Sequence, residues 1–326
     1  MKLFKAGDVI VARRNVYLRR AARADFDGVC SGDGIVLRAS GKGCLPGLLP
    51  YLLNTDAFWD YVSSQADGTM SKRVTVKRLM AYEFALPPLD EQGQRCDVLE
   101  AISDLEERVL VLIKSLWVMR EAWLEQEFSK LARRWPAKVA SDLMERITVG
   151  IVVKPADLYV PPGEGVPALR SLNVLPDRVV MEDLVYISLE GHAAHQKSRL
   201  TPGDVVIVRT GRPGDAAMVP TDLGELNCID LIICGLSREI APPFLCAAIN
   251  SRFGKRQFAA GTAGTAQKHF NVGAFKDFKV PVPPTDLQSR LIDKLNDFSQ
   301  LATKAELRLE DLRRIRLDLM QKVFPT

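Results

Sequence analysis

Several things are missing from this sequence, and each absence narrows the reading. No run of 18 apolar residues occurs, so no stretch has the signature of a membrane-spanning helix. Met1-Lys2-Leu3-Phe4-Lys5 is followed at once by Gly7-Asp8, which leaves no apolar core for a signal peptide. The six cysteines are scattered without a Cys-x-x-Cys pair, the pattern of reduced, buried thiols in a cytoplasmic protein rather than of disulfides or zinc ligands. His192 and His195 stand three apart, but no third ligand lies near them, so no metal is expected. Gly41-Lys42-Gly43 and Gly47 fit neither the Walker pattern nor the dinucleotide fingerprint, and no Ser or Thr follows the lysine; the stretch reads as a surface turn. Pro161-Pro162 is preceded by Val160 and Pro283-Pro284 by Val282, so neither is an Asn/Asp-Pro-Pro methyl-transfer site. A carboxylate cluster with a lysine, as metal-dependent cleavage needs, is not evident either. No catalytic residue is therefore assigned. The net charge of +4 permits nucleic-acid binding without arguing for it, because clustering matters more than the total.

What the sequence does have is a duplication. Pro87-Pro88-Leu89-Asp90-Glu91-Gln92 opens one long helical pattern, and Pro283-Pro284-Thr285-Asp286-Leu287-Gln288 opens a second. Pro87 to Pro283, Gln92 to Gln288, Leu99 to Leu295 and Phe128 to Phe324 are all 196 residues apart. Gly7-Asp8-Val9 and Gly203-Asp204-Val205 keep the same offset, as do Asn54 and Asn250, and Lys72 and Lys268. Between these anchors the register slips slightly, with Cys30 and Asp33 closest to Cys228 and Asp230. Each unit reads as a Gly-Asp turn, a strand-rich globular part, a Gly-Thr-x-x-Lys loop, a proline turn and a long helix. The second unit has a further leading piece from Trp135 to Pro202, 68 residues, where the first has only the 6 residues Met1 to Ala6. The first unit is therefore expected to have unpaired strand edges.

Strands are expected at 9–12, 35–37, 166–174, 185–187, 205–208 and 229–233, and helices at 48–62 and 244–258. Asp90 is placed to cap the first long helix, and Thr285 with Gln288 to form a capping box on the second. Leu291, Leu295, Phe298, Ala302, Ala305, Leu309, Leu312, Leu319 and Val323 follow coiled-coil spacing, with Arg316 the one polar break. Val98, Leu105, Val109, Leu112, Leu116, Met119 and Trp123 give the stripe assigned to the first helix. Helices of this length extend roughly 55–60 Å, more than either globular part needs for its own packing. The fold class is α+β: two β-rich domains with helices, separated by two long antiparallel coiled-coil helices in a pseudo-two-fold repeat. The boundaries read 1–88, 89–134, 135–284 and 285–326. An antiparallel helix pair would act as a spacer between two similar modules.

The order of motifs resembles one family. Leu169-Arg170-x-x-Asn173, Leu200-x-Pro-Gly-Asp-Val205, Gly264-Thr-Ala-Gln-Lys268 and the Pro-Pro-x-x-x-Gln turn before a long helix are similar to the specificity subunit of type I restriction–modification enzymes. The resemblance covers nearly the whole chain, and the first unit departs from it by lacking its leading segment. It implies a non-catalytic subunit whose two target-recognition domains each read half of a bipartite double-stranded DNA site. It also implies that the helices dock methyltransferase subunits, two in number, and that restriction subunits join the full complex. S-adenosylmethionine, ATP and Mg2+ are then expected on the partner subunits. Lys and Arg neutralise phosphates, and Arg, Asn and Gln can pair with base edges. On that chemistry the DNA contacts are expected at Arg13, Arg14, Arg19, Lys72, Arg73, Arg170, Asn173, Arg209, Arg212, Lys255, Gln267, Lys268 and His269. Partner contacts are expected at Leu105, Leu112, Trp123, Leu309, Leu312 and Leu319. Two other classes remain open at this point: a coiled-coil scaffold for protein partners, and the recognition fragment of a methyltransferase or nuclease.

Overall fold

The computed structural model describes residues 1–261 and 270–324. In chain order the first strands are β1 (Lys2–Phe4), β2 (Val9–Ala12), β3 (Ala21–Arg23), β4 (Gly28–Cys30) and β5 (Gly34–Leu37). Helices α1 (Leu49–Leu52), α2 (Asp56–Ser64), α3 (Val76–Leu79) and the long α4 (Leu89–Arg134) follow. Then come β6 (Ala137–Val139), α5 (Ala140–Leu143), β7 (Met144–Val149), β8 (Tyr159–Val160), β9 (Val166–Leu169), β10 (Val174–Leu175), β11 (Arg178–Val179) and β12 (Val185–Ile187). Next are α6 (Leu189–Ala194), β13 (Arg199–Leu200), β14 (Val205–Val208), β15 (Ala216–Met218), β16 (Leu226–Cys228) and β17 (Leu231–Leu236). The chain continues through α7 (Pro242–Asn250), α8 (Arg252–Gly261), α9 (Val272–Lys276), β18 (Lys279–Pro281) and the long α10 (Thr285–Val323). The chain divides into two units: Met1–Lys114 with the chain from Thr303 onward, and Ser115–Ala302. Both long helices contribute one half to each unit.

The same sheet is built in each unit. In unit 1, β2 lies between β3 and β5, with Val9 opposite Leu37 and Val11 opposite Ile35. In unit 2, β14 lies between β15 and β17, with Val205 opposite Cys234 and Ile207 opposite Ile232. Unit 2 adds β7 on the far side of β17. It also adds β6 beside β18, and a five-stranded sheet ordered β13-β16-β9-β12-β8 in which β16 and β9 run parallel. Unit 1 has only the β1–β4 pair in place of that sheet, and among its described residues nothing pairs with the far edge of β5. Phe84, the counterpart of the fully buried Val280, is 41% exposed. The unpaired edges expected in the first unit are therefore present.

The long helices are held by reciprocal packing. In unit 1, Cys96 and Leu99 of α4 meet Met320, Val323 and Phe324 at the end of α10, together with Leu48 and Leu52. In unit 2, Leu291 and Leu295 of α10 join Leu124 and Phe128 at the end of α4, together with Phe244 and Ala248. The start of one helix thus lies beside the end of the other in each unit, which makes the packing antiparallel. Burying a leucine or phenylalanine of this kind stabilises by about 1.5–3 kcal/mol. The 46 residues of α4 make a helix of roughly 69 Å.

Gln92 and Gln288 fix how each helix begins. Gln92 accepts the Leu45 N–H at 3.0 Å and donates to the Gly43 and Pro87 carbonyls at 2.9 and 2.8 Å. Gln288 accepts the Ala241 N–H and donates to the Glu239 and Pro283 carbonyls, all at 2.9 Å. Both side chains are buried. The expected capping box at Thr285 and Gln288 is therefore replaced by a tertiary clamp, because α10 already begins at Thr285 and the amide turns inward. Asp90 lies inside the first turn of α4 rather than before it, where its charge still meets the positive helix end.

Three further expectations change in detail. The helix over 48–62 is broken at Leu53-Asn54-Thr55, where the Thr55 hydroxyl caps α2 by accepting the Phe58 N–H at 3.3 Å. The helix over 244–258 is broken at Ser251, whose hydroxyl accepts the Gly254 N–H at 3.2 Å. The α4 stripe is half right. Val109, Leu116 and Trp123 are partly buried on the side of the buried Cys96, Leu99, Ile102, Leu124 and Phe128, whereas Val98, Leu105, Leu112 and Met119 are about half exposed. The inward face also carries Glu106 and Arg120, so following the apolar residues alone draws in an outer row. On α10 the stripe is right: Leu291, Leu295, Ala302, Ala305, Leu309, Leu312 and Val323 are buried.

Candidate nucleic-acid interface

Each unit places a basic loop at the end of its middle strand. In unit 2, β14 runs into Arg209-Thr210-Gly211-Arg212-Pro213-Gly214-Asp215 and returns as β15. Gly211 and Gly214 have φ of +85° and +87°, which side chains rarely adopt. A Cβ on Gly214 would also stand 2.8 Å from the Phe258 ring. The loop is braced by carboxylates. Arg209 pairs with Asp230 at 3.3 Å, and the Thr210 hydroxyl donates to the same carboxylate at 2.9 Å. Asp215 takes Arg212 at 3.3 Å and Lys255 at 2.5 Å.

Unit 1 repeats this corner with different residues. β2 runs into Arg13-Arg14-Asn15, and Asn15, the counterpart of Gly211, has φ +54°. Asparagine tolerates the left-handed region better than most residues. Asp33, the counterpart of Asp230, takes Arg14 at 3.5 Å and Arg73 at 3.3 Å. The Val74 N–H donates to the Arg13 carbonyl at 3.0 Å, as the Phe270 N–H does to the Arg209 carbonyl at 2.8 Å. Arg19 reaches Asp56 at 2.5 Å and Asp60 at 2.9 Å. Lys72 is exposed, and its carbonyl accepts the Asn15 N–H at 2.8 Å. A hollow of about 730 Å³ has Ala12, Ala21, Ala22 and Gly34 on its wall and Arg14, Arg19 and Arg20 around it. Small residues under arginines leave room for a phosphodiester, which backbone contacts require.

The expected contact residues divide by accessibility. Arg14, Arg19, Lys72, Arg73 and Arg212 are exposed at these corners, and Arg13 and Lys255 are partly so. Arg209 has a side chain only 11% exposed and acts as the brace of its loop. Arg170 donates to the Asp183 carbonyl at 2.7 Å and stands beside the loop rather than on it. Asn173 is removed from the contact set. It is fully buried, accepts the Arg170 N–H at 2.9 Å and donates to the Val180 and Glu182 carbonyls at 3.2 and 2.8 Å. No group is left over to meet a base. Gln267, Lys268 and His269 lie outside the described residues. Asp33, Asp230, Asn15 and Thr210 are structural parts of the corners that the basic residues alone did not suggest; their matching places in the repeat were the available signal.

The expected partner contacts divide likewise. Leu105 and Leu112 lie seven apart and half exposed on the outer face of α4. Leu309 and Leu312 are buried in their own unit, so they are corrected to core positions. Trp123 packs against Phe298 with ring centroids 6.0 Å apart, and Leu319 packs on the cluster around Phe324; both serve the chain's own packing.

Among the described residues no group of three His, Cys, Asp or Glu could hold a metal. All six cysteines are free thiols, and burial pushes those of Cys228, Cys234 and Cys246 up, which makes them poor nucleophiles. His192 is buried, and its pKa is held below the ordinary 6.5 by desolvation and, secondarily, by Arg199. Among the described residues no helix is long and apolar enough to cross a membrane.

Fold and corners together define a duplicated α+β architecture with one basic strand-end loop per unit and two long packed helices. No family model matches the chain. The putative type I restriction enzyme MjaX specificity subunit of Methanocaldococcus jannaschii is 20% identical over 210 residues, 63% of this chain and 48% of that protein. The chain thus spans about half the length of this curated relative. A chain from a type I restriction–modification system, solved to explain complex assembly and conformational transition, matches with a TM-score of 0.63 at 19% identity. That match covers 99% of this chain and 82% of the other. The specificity subunit of the type I system of M. genitalium matches with a TM-score of 0.57 at 17% identity, over 99% and 84% of the two chains. The fold is that of the specificity subunits of type I restriction–modification systems.

Proposed function

We propose that this chain is the sequence-specific DNA-recognition subunit of a type I restriction–modification complex. The observation that carries the reading is the corner built twice. In each unit an arginine leaves the middle strand, the aspartate just before the neighbouring strand holds an arginine of the loop, Arg14 in unit 1 and Arg209 in unit 2, and a left-handed residue turns the loop at matching places in the repeat. Each unit reads one half of a bipartite double-stranded site. Arg14, Arg19, Lys72, Arg73 and Arg212 contact phosphates, which set affinity and salt dependence without carrying sequence information. Gln267, Lys268 and His269 supply the base-edge and phosphate contacts of the second unit.

The chain itself performs no chemistry. Two methyltransferase subunits dock on the long helices, with Leu105 and Leu112 on the outward face as anchors. Restriction subunits join them, and S-adenosylmethionine, ATP and Mg2+ are bound by these partners. The test is salt-dependent DNA binding by the assembly. Arg212→Ala should weaken binding about equally across sequences and lower the salt slope by about 1. An unchanged affinity and slope would remove Arg212 from the interface. Binding of protein partners with no DNA binding at any salt concentration would favour a coiled-coil scaffold instead.

A further inference from the structure

Arg120 is a buried charge in the middle of a long helix, and its partners lead directly to the basic loop of unit 2. Its side chain is 8% exposed and it donates to the Asp177 carboxylate. Asp177 occupies the turn between β10 and β11. Its other oxygen accepts from the Asn250 amide at 2.7 Å, and its own N–H donates to the Ala216 carbonyl at 2.9 Å. Asn250 then grips Ala216 from both sides, accepting its N–H at 2.9 Å and donating to its carbonyl at 2.8 Å. Ala216 immediately follows Asp215, the carboxylate that holds Arg212 and Lys255. Arg212 also donates to the Ser171 and Val174 carbonyls, both at 3.3 Å, on the stretch that leads into the same turn.

We infer that Arg120 is a positioning residue that, through Asp177 and Asn250, ties helix α4 to the foot of the basic loop 209–215 and sets where Arg212 stands for DNA contact. This rests on the DNA-recognition reading above. The pair is buried at Arg120 and open at Asp177, whose side chain is 32% exposed, so it is weak evidence for stability; the better-attested use of such a pair is to fix one arrangement. Unit 1 supplies the contrast. The counterpart of Arg120 is Arg316, and it pairs at 2.8 Å with Glu106 of the other long helix. Unit 1 has no β10–β11 turn, and the tie there joins helix to helix without reaching the loop. In unit 2 the place of Glu106 is taken by the buried Ala302. The carboxylate that answers the arginine has changed with the elements present, and in unit 2 it comes from the element braced against the loop.

The experiment uses the full chain carrying Arg120→Met, Asp177→Asn, both together, or Glu106→Gln as the unit 1 control. Hydrogen exchange is read at the amides of Gly214, Asp215 and Ala216, and binding is compared between a selected DNA target and targets altered in one half-site. Asparagine suits the positive φ at position 177, and the double variant leaves no uncompensated buried charge, so it keeps the fold. The double variant should exchange about tenfold faster at these three amides, with β14 and β17 unchanged. It should weaken binding to the selected and the altered targets alike and lower the salt slope by up to about 1, as misplacing the Arg212 phosphate contact requires. Glu106→Gln should leave the three amides as they are. Exchange at the loop foot equal to wild type in the double variant would overturn the inference, as would acceleration spread evenly over β14 and β17. If the wild-type assembly failed to bind DNA, the recognition reading would fall, and the exchange measurement would still decide whether Arg120 positions the loop.

Discussion

Truncating Gln288 to alanine should cost unit 2 about 3–5 kcal/mol, the lower part of the range that about 1–3 kcal/mol for each of three unsatisfied partners gives, because two of the three bonds are only partly buried. The side chain is fully buried and makes three bonds at 2.9 Å, one to the Ala241 N–H and two to the Glu239 and Pro283 carbonyls. The deletion leaves one donor and two acceptors without their partner, the Pro283 carbonyl in a buried place and the other two partly buried, and the orphaned N–H is the most costly of them. Gln92→Ala should do the same to unit 1, since its bonds run to Leu45, Gly43 and Pro87 at 2.8–3.0 Å. Gln288→Glu tests the geometry further. The carboxylate keeps the acceptor for Ala241 but turns an oxygen toward two carbonyls, which raises its folded pKa. Stability relative to the charged form is then present below the ordinary value of about 4.3 and is lost as pH rises through the raised one. Urea titration with hydrogen exchange resolved by unit is the assay. A loss under about 1 kcal/mol, or Gln92→Ala and Gln288→Ala destabilising the same unit, would refute the clamp.

Other outcomes follow from single sites. Asn173→Ala should lower the stability of unit 2 by about 2–4 kcal/mol and weaken DNA binding without changing base preference; a selective loss at one base pair would return Asn173 to the interface. His192 is held neutral by burial and by Arg199 against the opposing pull of Glu225. Asn227 spends its oxygen on the Cys228 N–H at 2.8 Å, so its amide donates to the His192 Nδ1, which must therefore be unprotonated. Because the folded pKa is depressed, the stability of unit 2 should be whole above pH 6.5 and fall as pH drops below it. His192→Gln should flatten that slope, and an equal slope in the variant would show another group responsible. Gly214→Ala should disrupt the basic loop through both the positive φ and the Phe258 ring, measured as faster exchange at Asp215 and Ala216; unchanged exchange would contradict the tight approach.

The repeat was legible in the sequence because it is carried by residues whose geometry is demanding. Gly7 and Gly203 sit at φ of +88° and +85°, Gln92 and Gln288 make matching triplets of bonds, and Phe128 and Phe324 end equivalent cores. Helix identity was legible from period, yet only half of the inner face of α4 was, through Val109, Leu116 and Trp123. Its seam includes Glu106 and Arg120, charges satisfied by partners distant in sequence, which local hydrophobicity cannot register. Asn173 misled for the same reason, since an asparagine that closes a loop and one that reads adenine look alike until burial is known. The basic corners were visible as composition, and Asp33 and Asp230 as matched positions of the repeat, but that these aspartates brace the loops shows only once folding sets them beside Arg14, Arg73 and Arg209.

Whether the two units each read DNA can be measured directly. The direct measurement is selection of targets from a random double-stranded pool by the assembled complex, followed by binding titrations across salt. Two short sequences separated by a constant gap are expected, with Arg14 and Arg73 changes weakening contact on one side and Arg212 changes on the other. Enrichment of a single uninterrupted sequence, or binding with no sequence preference, would contradict recognition by both units.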